Sequence, residues 1–196
     1  LRPTRINLIC HGATPASRSA GFPADEALLD GALAPAASIR SQLAERHRLI
    51  AAPELRTRQS AEALGDECVF DRQLADIDYG RWAGQSLRTI HESEPDGVAA
   101  WIADPDATPH GGESIAAAIG RIGAWLDAQL EAGTRIVAVT HPAIVRAALV
   151  AVVGAPAQSF WKFDIVPWSM VEISSNGQRW ALRSLVPGPD RAVGGA

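Results

Sequence analysis

Short apolar runs alternate with longer stretches in which apolar residues recur every three or four positions, a pattern that predicts strands alternating with helices. Residues 6–10 form a short apolar strand that stops at His11-Gly12. A polar loop bearing Gly and Pro follows, and residues 33–47 then read as a helix. Residues 48–52 read as a second strand stopped by Pro53, and 55–64 as a helix closed by Gly65 in a left-handed cap. A brief strand is expected over 68–70, irregular chain over 74–85, and short helices over 87–93 and 98–103. Ser114 opens a strong helix, with Ile115, Ile119, Ile122, Leu126 and Leu130 on one face. Residues 135–140 have a continuous apolar centre, as a buried parallel strand does. His141-Pro142 begins the next helix, with Pro in its first turn. Residues 171–173 and 180–183 suit a final hairpin, and the tail from Pro187 is expected to be disordered. The fold class read from this order is a three-layer α/β/α sandwich with a mostly parallel central sheet, one domain over 1–196.

Composition narrows the partners. The 196 residues are 47% hydrophobic and 20% charged, with a net charge of −4, and no dense Lys/Arg run tracks a polymer of phosphates. Nucleic acid is therefore not expected, whereas a small anion needs only a local positive pocket. No stretch of 18 apolar residues occurs, so no membrane span is expected. Two cysteines, Cys10 and Cys68, form neither a disulfide framework nor a CxxC pair, and no signal-peptide core is seen. A reducing, cytoplasmic location is the expectation.

Two histidines occupy equivalent places, His11 after the strand 6–10 and His141 after the strand 135–140. Ligands of open α/β sheets bind beyond the carboxyl ends of the strands, so both fall where a site is expected. Arg56 lies in the first turn of a helix, where anions are ordinarily preferred, and there it suits an anionic ligand. Asp76 and Asp78 sit in a glycine-bearing loop and are candidate proton carriers. Phe22, Trp82, Trp101 and His110 are either pocket-lining or core, and His47 and His91 read as surface residues.

Together these segments resemble the histidine phosphatase superfamily, the phosphoglycerate-mutase-like enzymes. The family's Arg-His-Gly-x-Thr appears as Cys10-His11-Gly12-Ala13-Thr14. Its Ser-Pro-Leu-x-Arg-Ala-x-Gln-Thr-Ala run is matched at Pro53, Arg56, Gln59 and Ala61, with Ser60 for Thr. Its Leu-x-Glu-x-x-x-Gly-x-Trp-x-Gly run is matched at Leu74, Gly80, Trp82 and Gly84, with Asp76 for Glu. Gly111-Gly112-Glu113-Ser114 and Thr140-His141-Pro142, with Arg146 beyond, complete the order over roughly 6–153.

The resemblance implies a metal-independent, cofactor-free phosphomonoester hydrolase. His11 would form a phosphohistidine, Arg56 and His141 would hold the phosphoryl oxygens, and Asp76 would move the proton. Asp78 is an alternative donor whose register fits the motif less well. Cys10, Gly12, Thr14, Arg18, His110 and Pro142 would surround the phosphate or substrate. The expected partner is a small phosphorylated metabolite or inorganic phosphate, with a homodimer the one protein partner considered. Cys10 stands where the family has Arg, which removes a permanent charge and a fork of donors. Arg18 and Arg146 are the candidate replacements. Cys10 as a nucleophile is disfavoured, because position 16 is Ala where a cysteine phosphatase has Arg. Three alternatives stay open: an impaired phosphate-binding or regulatory protein, a mutase-type phosphotransferase, and a metal hydrolase using His11, His141 and Asp76.

Overall fold

Six strands form one sheet in the order β3-β2-β4-β1-β5-β6. The computed structural model describes residues 3–65, 67–131 and 133–189. Strands β1 (Thr4–Cys10), β2 (Arg48–Ala51), β3 (Cys68–Phe70) and β4 (Arg135–Thr140) are parallel to their neighbours among themselves. Strands β5 (Met170–Ser175) and β6 (Trp180–Val186) are an antiparallel hairpin added at the β1 side. The four parallel strands thus point their carboxyl ends the same way, which is what brings the site residues together.

The sheet is covered on both faces, as expected of the sandwich. Alternation along a strand sends successive side chains to opposite faces. Ile6 and Leu8 of β1, with Ile50, Ile136 and Ala138, meet α6 (Ile115–Gln129) and α7 (Pro142–Val153). Ile9, Leu49, Ala51, Val137 and Val139 meet α2 (Ala36–Gln42) and α3 (Leu55–Glu62). Ser114 caps α6 by accepting from Ala117 N–H, and Ile115, Ile122 and Leu126 are buried on the expected face. Helices α4 (Leu87–Ser93) and α5 (Pro95–Ala103) add Ile90, Val98 and Trp101 to the α6–α7 side.

Several boundaries differ from the sequence reading. The helix expected over 33–47 is only Ala36–Gln42, because turns occupy 30–35 and Leu43 turns extended at its end. The loop after His11 contains a short helix, α1 (Pro15–Ser19), nucleated by a reciprocal Thr14–Ser17 cap. Gly65 is not left-handed; α3 ends earlier, with Leu64 and Gly65 N–H both donating to Ala61 O. The left-handed glycine cap belongs instead to Gly154 at the end of α7. Of the tail expected to be disordered, residues 187–189 are described: Gly188 is buried and its N–H donates to Ser169 Oγ at 3.3 Å. Residues 190–196 lie outside the described residues. No described helix is long and apolar enough to cross a membrane.

Candidate active site

Strand register builds the site. Cys10 pairs with Thr140 across β1 and β4, so the residues that follow, His11 and His141, emerge side by side. His11 N–H continues the ladder to Thr140 O (3.0 Å), and the two imidazole centroids lie 5.2 Å apart, edge to face. Ala51 pairs with Val139, and Ala52 N–H reaches Val139 O (3.0 Å). Chain leaving β2 therefore enters α3 beside both histidines, with Arg56 in the first turn. Trp168 pins the other side: its N–H is shared by Cys10 O and His11 O, and its indole N–H donates to Ala32 O (2.7 Å). Trp168 is left-handed at φ 64°, a strain that these bonds hold in place.

The ring partners fix the histidine tautomers. His11 Nδ1 lies 2.7 Å from Gly12 O, and a carbonyl can only accept, so Nδ1 carries the proton and Nε2 keeps its lone pair. Burial chiefly, with the Arg56 guanidinium nearby, holds the His11 pKa well below 6.5, so the ring is neutral. Gly12 N–H donates to Ser60 Oγ (3.0 Å), and Ser60 Oγ donates to Arg56 O (2.7 Å), tying the His11 turn to α3. His141 Nδ1 accepts from Arg56 Nε (3.2 Å), so its proton is on Nε2 and is directed to Glu54 Oε2 (2.9 Å).

Arg56 is buried and fully engaged. Besides His141, its guanidinium donates to Ala24 O (2.8 Å) and to Asp76 Oδ2 (2.8 Å). Asp76 Oδ1 accepts from Ile77 N–H (2.9 Å) and faces Tyr79 OH at 3.5 Å. Burial first, then the Asp76 charge, raises the Tyr79 pKa, so the phenol keeps its proton and donates. Glu54 Oε1 accepts from Asp76 N–H (3.1 Å). Burial pushes the Glu54 carboxyl up, but its hydrogen bond from His141 and those from backbone N–H groups outweigh this and bring it to about 2.

The loop that presents Asp76 is held by side chains from two elements. Thr140 Oγ1 donates to Leu74 O (2.6 Å), and Trp125 Nε1 to Asp71 Oδ2 (2.9 Å). Arg121, forked onto Glu113, also donates to Gln73 O (2.7 Å) and Ala75 O (3.0 Å). The glycines of the 74–84 and 111–114 motifs interlock. A Cβ on Gly80 (φ +48°) would come within 2.2 Å of His110 O, and one on Gly112 within 1.9 Å of Asp78 O.

The structure thus brings His11, Arg56, Asp76 and His141 into one cluster, with Gly12 beneath it. Cys10 is fully buried next to it, its thiol pushed up by burial and by Asp76, so it is neither cation nor thiolate nucleophile. Arg146 acts on Cys10 electrostatically, while its Nε donates to Phe163 O (2.8 Å). Arg18 lies exposed on α1 and forms no ion pair among the described residues. Thr14 is buried as the cap of α1, and Pro142 is the first residue of α7.

Asp78 is exposed and its Oδ1 accepts from Gly80 N–H, so it faces away from the cluster. His110 is buried in an aromatic cluster with Tyr79, Trp82 and Trp101, to which Phe22 also belongs. Of these rings, Tyr79 meets the site, its OH 3.5 Å from Asp76 Oδ1. His91 is exposed and His47 half-buried, as expected of surface positions. Among the described residues, no three His, Cys, Asp or Glu side chains are grouped to hold a metal ion. Glu54, Tyr79 and Trp168 were not singled out from sequence. Glu54 was the findable one, since it stands in the second motif where the family pattern has Leu.

Comparison with known proteins follows the same lines. Phosphoserine phosphatase 1 of Hydrogenobacter thermophilus is 27% identical over 118 residues, which are 58% of this chain and 56% of that protein. The chain therefore covers only just over half of that relative. A mycobacterial glucosyl-3-phosphoglycerate phosphatase in complex with VO3 superposes with a TM-score of 0.81 at 21% identity, covering 95% of this chain and 99% of that one. A phosphoserine phosphatase mutant of Entamoeba histolytica in complex with phosphoserine gives 0.82 at 17% identity, covering 93% and 96%. At these identities the superpositions show a shared fold. The model of the histidine phosphatase superfamily (branch 1) matches residues 6–186, and the chain belongs to that family.

Proposed function

We propose that the chain is one domain that hydrolyses phosphomonoesters of small metabolites through a phosphohistidine on His11, without metal or cofactor. The observation that carries this reading is the His11 tautomer. With Nδ1–H spent on Gly12 O, the Nε2 lone pair is free and the ring is neutral. In the first step the phosphoryl group displaces Asp76 from Arg56 and the freed carboxylate takes up a proton from solvent; Nε2 then attacks phosphorus, the bond from phosphorus to the ester oxygen breaks, and Asp76 gives that proton to the leaving oxygen. In the second step water attacks phosphorus, the P–N bond breaks, and Asp76 recovers a proton from the water. Arg56 and His141 stabilise charge on the phosphoryl oxygens. Relatives named for phosphoserine and glucosyl-3-phosphoglycerate support small phosphorylated metabolites as the substrate class. A reducing cytoplasmic location belongs to the same reading.

The experiment is hydrolysis of an aryl phosphate with and without chelator, followed by phosphoenzyme trapping in alkaline denaturant and an acid-lability check on the trapped species. We expect chelator-insensitive turnover, an acid-labile phosphoenzyme, and loss of both in His11→Ala. Turnover that survives in His11→Ala would sink the reading.

One second reading has an observation behind it: a phosphate-binding protein with little turnover. Cys10 supplies no charge, and Glu54 adds a carboxylate at the cluster. Saturable binding of inorganic phosphate with no hydrolysis of any ester would favour it.

A further inference from the structure

We propose that Glu54 is a positioning residue: it is the counter-ion that lets His141 take a second proton and donate it to the phosphoryl group, supplying the positive charge that Cys10 leaves out. The kinetic part of this rests on the hydrolase reading above.

The groups that face His141 are Glu54 and Arg56 at the entry to α3, Asp76 in the loop after β3, and His11 at the end of β1. Both ring nitrogens are spent: Nε2–H donates to Glu54, and the Nδ1 lone pair accepts from Arg56. In that state His141 has no N–H to offer a third group. A proton added at Nδ1 creates one, and frees Arg56 Nε to turn to the same anion.

Charge favours this step. The cluster sets one guanidinium against the carboxylates of Glu54 and Asp76, a poor host for a phosphate dianion. An imidazolium restores the balance. A carboxylate 2.9 Å from Nε2 stabilises that imidazolium directly. The family pattern has Leu at this position, which could not do so. Glu54 is held for the role at both oxygens, with Oε1 accepting from Asp76 N–H at 3.1 Å and Oε2 bound to His141.

Glu54→Gln keeps shape and an acceptor oxygen but removes the charge, and Glu54→Asp restores the charge. The readouts are the pH profile of kcat/KM on an aryl phosphate and an NMR titration of the His141 ring in histidine-labelled protein with inorganic phosphate. In Glu54→Gln we expect the His141 protonation midpoint and the alkaline limb of the profile to fall by about one pH unit, with roughly tenfold lower kcat/KM above the limb. Glu54→Asp should recover most of both, and in a His141→Gln background Glu54→Gln should have no further effect on the limb. An unmoved His141 midpoint, or equal or higher kcat/KM at alkaline pH in Glu54→Gln, overturns the proposal. If no ester is turned over, the hydrolase reading fails on its own and the titration alone decides the role of Glu54.

Discussion

Arg56 Nη2 donates to Asp76 Oδ2 at 2.8 Å, with both side chains buried. The proposed phosphate-holding cation and the proposed proton donor therefore neutralise each other, and an arriving phosphoryl group would compete with Asp76 for the guanidinium. Release of Asp76 is then coupled to binding, and the freed carboxylate takes up the proton that the leaving oxygen needs. Asp76→Asn should lower kcat by about 10²–10⁴ on alkyl phosphates, whose leaving oxygens need a proton. On p-nitrophenyl phosphate, whose leaving group needs little help, the loss should be far smaller. Equal losses on both substrates would remove Asp76 as the donor.

Arg56→Ala should be worse on two counts. It removes the clamp on the phosphoryl oxygens, expected at about 10³ in kcat/KM. It also strands a buried carboxylate, a loss of about 3–5 kcal/mol in such pairs. Paired chemical-denaturation and kinetic measurements on Arg56→Ala and the double variant Arg56→Ala/Asp76→Asn separate the two. The double variant should regain stability without regaining activity.

The glycine interlock gives a test of the scaffold. A Cβ at Gly112 would press to 1.9 Å from Asp78 O, which is backbone and cannot rotate away. Gly112→Ala should destabilise by about 2–4 kcal/mol and displace the 74–80 loop that carries Asp76. Gly111→Ala meets no heavy atom within 4 Å, but its φ of +78° still strains an alanine, so a smaller loss of about 1 kcal/mol is expected. Thermal melts of the two variants should rank them in that order; the reverse order would count against the interlock.

These cases mark what could be read from the chain. The cluster His11, Arg56, Asp76 and His141 was legible because each follows or flanks a strand, and strand ends converge wherever the strands are parallel. What fixed the distances was not local: the Cys10–Thr140 and Ala51–Val139 register depends on pairing across more than eighty residues. Glu54 stood out only as a departure from the motif, and its role was hidden for the same reason, since its partner His141 is 87 positions away. The boundary errors were local instead. Thr14 and Ser17 cap each other into a helix within a stretch whose Gly and Pro content reads as loop, while chain entering α2 through Pro35 cannot start the helix as early as Leu33. Phe22, Trp82 and Trp101 satisfy both a pocket and a core pattern, and only packing shows them as core.

Cys10→Arg tests how much the missing guanidinium costs. Cys10 is fully buried on the α7 side, where Asp76 and Arg146 are the charges that its sulfur feels most. A guanidinium there would face Asp76 favourably and Arg146 unfavourably. A charge-assisted bond to the phosphoryl group is worth roughly 1.5–3 kcal/mol, so kcat/KM should rise about 10- to 100-fold. The added bulk should lower stability by about 1–3 kcal/mol. An unchanged or lower rate in a folded variant would mean that Arg146 or His141 already supplies the charge.

Acid sensitivity should come first from His11. Its pKa is held well below 6.5 chiefly by burial, with the Arg56 charge adding, against the opposing bond to Gly12 O. An unfolded chain takes up this proton as pH falls through about 6.5, and the folded chain refuses it. The sign follows: the stability tied to neutral His11 is complete above that pH and is lost progressively below it, at up to about 1.4 kcal/mol per pH unit. His110, lowered chiefly by burial, adds in the same direction. Glu54 acts in a separate window, because its carboxyl at about 2 releases stability only as pH drops from about 4.3 toward that value. Urea midpoints should therefore decline between pH 7 and 5. His11→Asn, which keeps an Nδ2 donor for Gly12 O and cannot ionise, should show a shallower decline by close to one proton. Parallel declines in the two proteins would mean that His11 is protonated in the fold, and would remove the neutral nucleophile on which the phosphohistidine step depends.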